Sequence, residues 1–143
     1  MWILFALGAS IFWGLSYVFS EQIYEKISVL TSLGLTSAIV AVFSLCVSYF
    51  SNTLKSDIHT LTSSRTLMFY FAGGAVALIA AEIFIGFSIS FKSATLAGLI
   101  EISYPIFIAL FSYILFKHQV TLSTIIGGIV VFIGIFIIYF FNK

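Results

Sequence analysis

Charged residues and cysteine are scarce in this chain of 143 residues. Only 8% of the residues are charged, whereas about 25% are charged in ordinary soluble domains, so a soluble globular domain is excluded. Cys46 is the single cysteine, which excludes an internal disulfide framework. What the chain has in abundance is apolar residues, which make up 62% of it and indicate a membrane protein.

Five apolar segments are each long enough to cross a bilayer, which takes about 20 residues of helix. They cover residues 2–20, 29–50, 67–88, 94–116 and 123–141. Because these segments use most of the chain, no room is left for a soluble catalytic domain. We predict one all-α membrane domain over residues 1–143, a five-helix bundle whose consecutive helices are antiparallel neighbours. The segment 51–66, rich in Ser and Thr, is predicted to be a solvated loop without regular structure.

Sequence signatures of enzymes and of cofactor or nucleic-acid binding are missing. There is no Gly-rich phosphate loop, no nucleophile elbow and no basic stripe. His59 and His118 fall in predicted loops and lack metal-ligand spacing to any other His, Cys or carboxylate. The sequence therefore predicts no enzyme, no cofactor, no metal site and no nucleic-acid partner.

The basic residues divide equally between the two sides of the membrane. The N-terminal side would carry Lys55, Arg65 and Lys117, and the other side Lys26, Lys92 and Lys143. An excess of Lys and Arg in cytoplasmic loops normally sets orientation, and here neither side has one. The tie favours dual topology, in which the chain inserts both ways and pairs with an inverted copy of itself, like the halves of inverted-repeat transporters. The alternative is that six charges are too few to decide.

Small and polar side chains recur at three- and four-residue spacing on three of the predicted spans. The first span carries Ala6, Ala9, Ser10, Trp13, Ser16, Tyr17 and Ser20; the second carries Gly34, Ser37, Ala38, Ala41, Ser44 and Ser48; the fourth carries Ala94, Ala97, Gly98, Glu101, Tyr104, Pro105 and Ser112. Three such stripes could converge on a polar cavity. Alternatively, small and hydroxyl residues simply allow membrane helices to pack closely.

Glu82 and Glu101 are the only charged residues deep inside the predicted spans. An ionised group at the bilayer centre costs at least about 2.5–3.5 kcal/mol, so such residues usually face a cavity and mark a pathway. With no Lys, Arg or His in the spans, each carboxyl is expected to be protonated, or ionised beside water or a bound cation. We expect Glu101 to matter more, because the face of Glu82, with Leu78, Ile79 and Ile85, lacks polar companions. The alternative is a neutral Glu that hydrogen-bonds between helices.

The fourth and fifth spans contain helix-breaking or close-packing residues. Pro105, the only proline, removes one helix hydrogen bond and frees a carbonyl near Glu101, which indicates either a cavity or a plain structural kink. Gly127, Gly128 and Gly134 interrupt an Ile, Val and Phe helix and predict a contact face for another helix. Their spacing leaves open whether that helix belongs to the same chain or to a second copy.

The run 93–107, followed by Thr121 and the glycine-bearing segment 126–134, resembles the C-terminal half of an EamA repeat of the drug/metabolite transporter superfamily. The opening segment 12–14, Phe-Trp-Gly, is similar to the first helix of that repeat. The resemblance covers the chain as one repeat of five helices, and it implies one half of a ten-helix inverted-repeat transporter. Two departures stand out. Lys117 and His118 stand where the family often has a Gly-Glu pair, and the Arg frequent in its second helix is missing at Thr36 and Ser37.

The resemblance implies a secondary transporter of small organic solutes, either metabolites or amphipathic cations, in the plasma or inner membrane. The half-length repeat implies a homodimer, expected to be antiparallel, and the glycines at 127, 128 and 134 are similar to the dimerisation pattern of small multidrug-resistance proteins. We expect solute or protons to bind at Glu101, with the further site residues Tyr104, Trp13, Tyr17, Glu82 and Ser112. Two alternatives remain: a lipid or lipid-linked sugar flippase, and a non-transporting membrane subunit of a larger complex.

Overall fold

A computed structural model describes residues 1–141, and Lys143, counted above among the basic residues, lies outside that range. Every element in the described part of the chain is an α-helix. In chain order the helices are α1 (Trp2–Tyr24), α2 (Val29–Phe50), α3 (Leu54–Ser63), α4 (Arg65–Phe91), α5 (Ala94–Glu101), α6 (Tyr104–Phe116) and α7 (Leu122–Phe141).

The prediction of an all-α protein with five membrane-spanning helices is confirmed. Helices α1, α2, α4 and α7 are each long and apolar enough to cross a membrane, and α5 and α6 together form the fourth crossing, Ala94–Phe116. Helix α4 is the longest, with 27 residues, and exceeds the predicted segment at both ends. A local signal marks its start, because the Ser64 hydroxyl accepts a hydrogen bond from the Leu67 backbone N–H at 3.3 Å.

The prediction of an unstructured loop over residues 51–66 is wrong, because α3 occupies most of it. The chain turns at Asn52, whose φ of 58° lies in the left-handed region that Asn tolerates. Helix α3 then places Leu54, Ile58 and Leu61 on one face at helical spacing. The Ser and Thr residues that suggested a loop bond to carbonyls of their own helix; the Thr60 hydroxyl, for example, donates to the Ser56 carbonyl at 2.8 Å.

The tightest packing lies at the end of the bundle where α4 turns into α5, called here the packed end. Ile89, Ala94 and Ala97 are buried there, and Tyr17, Tyr24 and Ile85 pack against them. Helices α2 and α4 come close beside this cluster, because a Cβ atom added to Gly86 would lie 2.6 Å from Cγ1 of Val29. Small residues thus let four helices meet at one end of the bundle.

Most large apolar side chains point outward along the five spans, including Phe84 and Phe91 at 75% and 82% exposure. In a bilayer this exposure carries no penalty, because lipid tails are as apolar as the side chains they touch. Helices α6 and α7 pack against each other, and the aromatic rings of Tyr70 and Phe116, 5.6 Å apart, connect α4 with α6.

Candidate functional site

The fourth crossing is interrupted at the centre of the candidate site. Helix α5 ends at Glu101 and α6 begins at Tyr104, so Ile102 and Ser103 separate the two helices. Pro105 stands in the first turn of α6, where a helix does not need its missing N–H. In a continuous helix that N–H would bond to the backbone carbonyl of Glu101, which therefore lacks its usual partner.

Glu101 is bound by a tyrosine from the first helix. The Tyr17 hydroxyl donates a hydrogen bond to Oε2 of Glu101 at 2.5 Å, and both side chains are half-buried. The Tyr17 ring also packs against Gly98 of α5, where an added Cβ atom would lie 3.4 Å from the ring, an ordinary van der Waals distance. The Trp13 ring lies one helical turn away, 5.7 Å from the Tyr17 ring between centroids.

Glu82 joins the same site from α4. It interacts electrostatically with Glu101, and both Glu82 and Tyr104 interact electrostatically with Tyr17. Tyr17, Glu82, Glu101 and Tyr104 are called here the carboxylate cluster. The one basic residue in the described spans is Arg65, the first residue of α4 and 17 positions before Glu82, so no basic side chain within these spans lies beside the cluster to neutralise it.

The expectation that the face of Glu82 lacks polar companions considered the residues of α4 alone. Leu78 and Ile79 are 61% and 60% exposed, whereas Ile85, one turn after Glu82, packs against the core of the packed end. Glu82 is half-buried, and the carboxyl group of Glu101 with which it interacts belongs to another helix. Helix spacing alone could not show which helices meet the side of α4 that carries Glu82.

The remaining predicted residues lie elsewhere. Ser112 is half-buried on α6, more than two turns beyond Tyr104, and no contact links it to the carboxylate cluster. The small-residue stripe of α2 also stays apart: a Cβ atom added to Gly34 would meet nothing within 4 Å, and the Ser44 hydroxyl bonds to the Val40 carbonyl of its own helix. Only two of the three predicted stripes, those of the first and fourth spans, therefore meet.

The three glycines of α7 have different surroundings. A Cβ atom added to Gly128 would lie 3.0 Å from Cγ1 of Ile106, so Gly128 packs against α6 within the chain. At Gly127 and Gly134 an added Cβ atom would meet nothing within 4 Å in the described part of the chain. These two glycines are open to another molecule.

A second long-range carboxylate contact was missed by the sequence argument. Glu21, near the end of α1, accepts a hydrogen bond from the Ala94 backbone N–H at 3.0 Å. That N–H belongs to the first turn of α5, where the helix dipole favours a negative charge. The start of α5 is visible in the sequence at Ser93, whose hydroxyl caps the same turn by accepting a hydrogen bond from the Leu96 N–H.

Among residues 1–141 no three His, Cys, Asp or Glu side chains lie close enough together to hold a metal ion. The chemistry that the site offers is a carboxylate with one oxygen occupied by Tyr17 and the other, Oε1, without a protein partner within residues 1–141. Aromatic rings lie beside it, and a second carboxyl group is close enough to interact. Such a group can take up a proton or a cation.

Five apolar crossings with an ionisable cluster between them define a multi-pass α-helical membrane protein. The model of the EamA-like transporter family matches residues 1–140, and the chain belongs to that family, whose members are membrane transporters of small solutes. No curated protein and no solved structure is significantly similar to the chain.

Proposed function

We propose that the protein is a secondary transporter of small organic solutes in which Glu101 binds a proton and a cationic group in turn. The observation that carries this proposal is the hydrogen bond from Tyr17 to Glu101 at the interruption between α5 and α6. A carboxylate inside a membrane span is costly unless it faces a cavity or pathway. The Tyr17 hydroxyl donates to one oxygen of the Glu101 side chain, and the other oxygen, Oε1, remains available to a ligand.

Aromatic side chains favour a cationic organic solute over a neutral one. Trp13 is 49% exposed and lies beside Tyr17, and Tyr104 is 56% exposed. Aromatic faces attract organic cations, by about 2 kcal/mol or more when the site is desolvated. Glu82 adds a second carboxyl group near Glu101 and strengthens the preference for positive charge. Metabolites with an amine or quaternary ammonium group carry the positive charge that these rings and carboxyl groups favour.

The direct test is solute flux through the purified protein in liposomes. Choline and methyl viologen are suitable probes, since both are organic cations that do not cross lipid by themselves. We expect saturable uptake driven by an outward proton gradient, and we expect Glu101→Gln to reduce it to below roughly a tenth of the wild-type rate, a barrier increase of about 1.4 kcal/mol or more. Gln can hydrogen-bond but cannot ionise.

Two variants serve as controls for this measurement. Glu101→Asp keeps an ionisable group and should retain part of the flux, whereas Glu25→Gln changes a carboxyl group in the turn outside the spans and should retain all of it. Full activity in Glu101→Gln, together with flux that does not depend on pH, would contradict proton coupling and favour a carrier driven in another way. The absence of saturable flux would instead favour the non-transporting subunit.

We further propose that the working unit is an antiparallel homodimer in the plasma or inner membrane. The carboxylate cluster is only half-buried in one chain, and an ionisable group exposed to hydrocarbon is costly, so further protein must cover it. The open glycines at 127 and 134 offer a contact face for that purpose.

Topology can be tested with single cysteines in a Cys46→Ser background, at His59 and at Lys92. If both orientations occur, each position should be labelled from both sides of the membrane in comparable amounts. A single orientation in all molecules would leave a parallel dimer or a different partner chain. If both orientations are found, two or three Lys residues added to the 51–66 segment should force one orientation. Flux should then fall if the inverted pair is the active form.

A further inference from the structure

A groove of about 290 Å³ runs between α1 and α2, away from the carboxylate cluster. Its walls combine apolar side chains, Phe12 and Phe19 among them, with four hydroxyl groups. The hydroxyls belong to Ser16 and Ser20 on α1 and to Ser32 and Thr36 on α2. No charged residue lines it.

These four hydroxyls differ from those of Ser10 and Ser44 in the same two helices. The Ser10 and Ser44 hydroxyls donate to carbonyls four residues earlier in their own helices, at 3.0 and 2.8 Å, which is how membrane helices usually satisfy serine. The hydroxyls that line the groove make no hydrogen bond within residues 1–141. They therefore offer four free donors to whatever occupies the groove.

Ser32 shows that the free hydroxyls belong to a built site. The residue is only 8% exposed, yet its side chain has no hydrogen-bond partner within residues 1–141. No side-chain oxygen in the described chain is both fully buried and unpartnered, so the Ser32 hydroxyl opens into the groove that it lines. A polar group that is left unpaired in an apolar medium costs free energy, which favours an occupant that accepts hydrogen bonds.

The depth of the groove indicates the kind of occupant. Helices α1 and α2 have 23 and 22 residues, a length close to the roughly 30 Å of the hydrocarbon core, so their facing ends lie near its boundary, where the glycerol ester groups of phospholipids are found. Ser20 precedes the end of α1 at Tyr24 by four residues, and Ser32 follows the start of α2 at Val29 by three. Both hydroxyls therefore lie within about one helical turn, roughly 4.5–6 Å, of the level of the ester groups.

We infer that this groove binds a membrane phospholipid through the carbonyl oxygens of its glycerol esters. Ester carbonyls accept hydrogen bonds and have no donors of their own, which matches four free hydroxyls. An acyl chain would follow the apolar wall toward the bilayer centre along Phe19 and Phe12, which are 59% and 71% exposed. The turn at the mouth of the groove carries Lys26, whose charge suits the lipid phosphate.

An ester lipid and its ether analogue give the sharpest test, because they differ only in the carbonyl oxygens. The full chain, purified in detergent, would be titrated with a phosphatidylglycerol carrying ester-linked chains and with the ether-linked lipid of the same headgroup and chain length. Bound lipid would be counted by native mass spectrometry. We expect one ester lipid per chain and at least about tenfold tighter binding than for the ether lipid, equivalent to about 1.4 kcal/mol.

Variants then locate the carbonyl contact. Thr36→Val keeps the shape of the side chain and removes the hydroxyl. Together with Ser32→Ala it should clearly reduce the ester preference, since only the two hydroxyls of α1 remain, and it should leave ether-lipid binding unchanged. Ser44→Ala, which removes a hydroxyl already bonded to its own helix, should change neither affinity. Equal affinity of the wild-type protein for the two lipids would overturn the inference, whether the groove is empty or covered by a second copy. The inference is also overturned if the Ser32→Ala, Thr36→Val double variant keeps the full ester preference of the wild-type protein.

Discussion

The packed end and the α6–α7 pair use glycine in opposite ways. At the packed end, a Cβ atom added to Gly86 would lie 2.6 Å from Val29 and 3.3 Å from the Tyr24 hydroxyl. In α7, the same addition at Gly127 or Gly134 would meet nothing within 4 Å in the described part of the chain. Both helices are apolar enough to cross a membrane, and what decides the role of each glycine is the neighbour that it faces. Gly86 at the packed end serves the fold of one chain, whereas Gly127 and Gly134 in α7 are available for contact between chains.

The carboxylate cluster lies between these two regions. Its α1, α4 and α5 members are held by the helices of the packed end, while Tyr104 begins α6. The interruption at Ile102 and Ser103 therefore separates a well-packed part of the fourth crossing from a loosely packed one. A displacement of α6 relative to α5 would change access to Glu101 without opening the packed end.

The largest effect is expected from Gly86→Ala. The new methyl group would overlap Val29, which is 5% exposed and whose branched side chain has little freedom to turn away. Overpacking of this kind costs about 1–3 kcal/mol, so the thermal unfolding temperature in detergent should fall clearly. Gly74→Ala, in the same helix but in open space, is the matched control and should have no effect or raise stability slightly.

A second substitution shows whether the overlap itself is responsible. Val29→Ala removes the atom that the new methyl group would strike. The Gly86→Ala, Val29→Ala double variant should therefore be more stable than Gly86→Ala alone, whereas two independent losses of stability would add up. If Gly86→Ala unfolds at the wild-type temperature, the packed end is looser than its geometry indicates.

A smaller and different effect is expected from Gly127→Leu and Gly134→Leu. Since both positions are open within the chain, the unfolding of a single chain should change little, but a helix of another copy should be pushed away. We expect the dimer association constant in detergent to fall by roughly tenfold, about 1.4 kcal/mol. Ile125→Leu and Ile133→Leu, on the same helix, should be milder. Unchanged association in both glycine variants would place the dimer contact elsewhere.

Sequence patterns predicted the features of this molecule that depend on residues close together in the chain. The length of each apolar segment predicts the five spans, and Pro105 marks the segment in which the fourth span is interrupted. Helix α3 was missed because Ser and Thr favour loops on average, although they can also bond to their own helix, as Thr60 does.

Contacts between distant helices were beyond the reach of the sequence. Tyr17 and Glu101 are 84 positions apart, and the spacing of residues on α1 or α5 cannot show that they meet. For the same reason the spacing of residues on α4 could not show that Glu82 would interact with Glu101 of another helix. Helix crossing and rotation decide such contacts, and in a membrane they are set by close packing at residues such as Gly86 and Gly98.

The smallest effect is expected from Glu21→Gln, which tests the electrostatic part of the packed end. Glu21 accepts a hydrogen bond from the Ala94 N–H at the positive end of the α5 dipole, and Gln keeps the acceptor but removes the charge. The loss should be about 0.3–1 kcal/mol and should shrink further in high salt, because Glu21 is only half-buried. Glu25→Gln, one turn later, is the matched control, since Glu25 is exposed and makes no such contact. Equal unfolding temperatures for the two variants would show that steric packing alone holds α5 in place, and a larger loss for Glu21→Gln that disappears in salt would show that charge contributes.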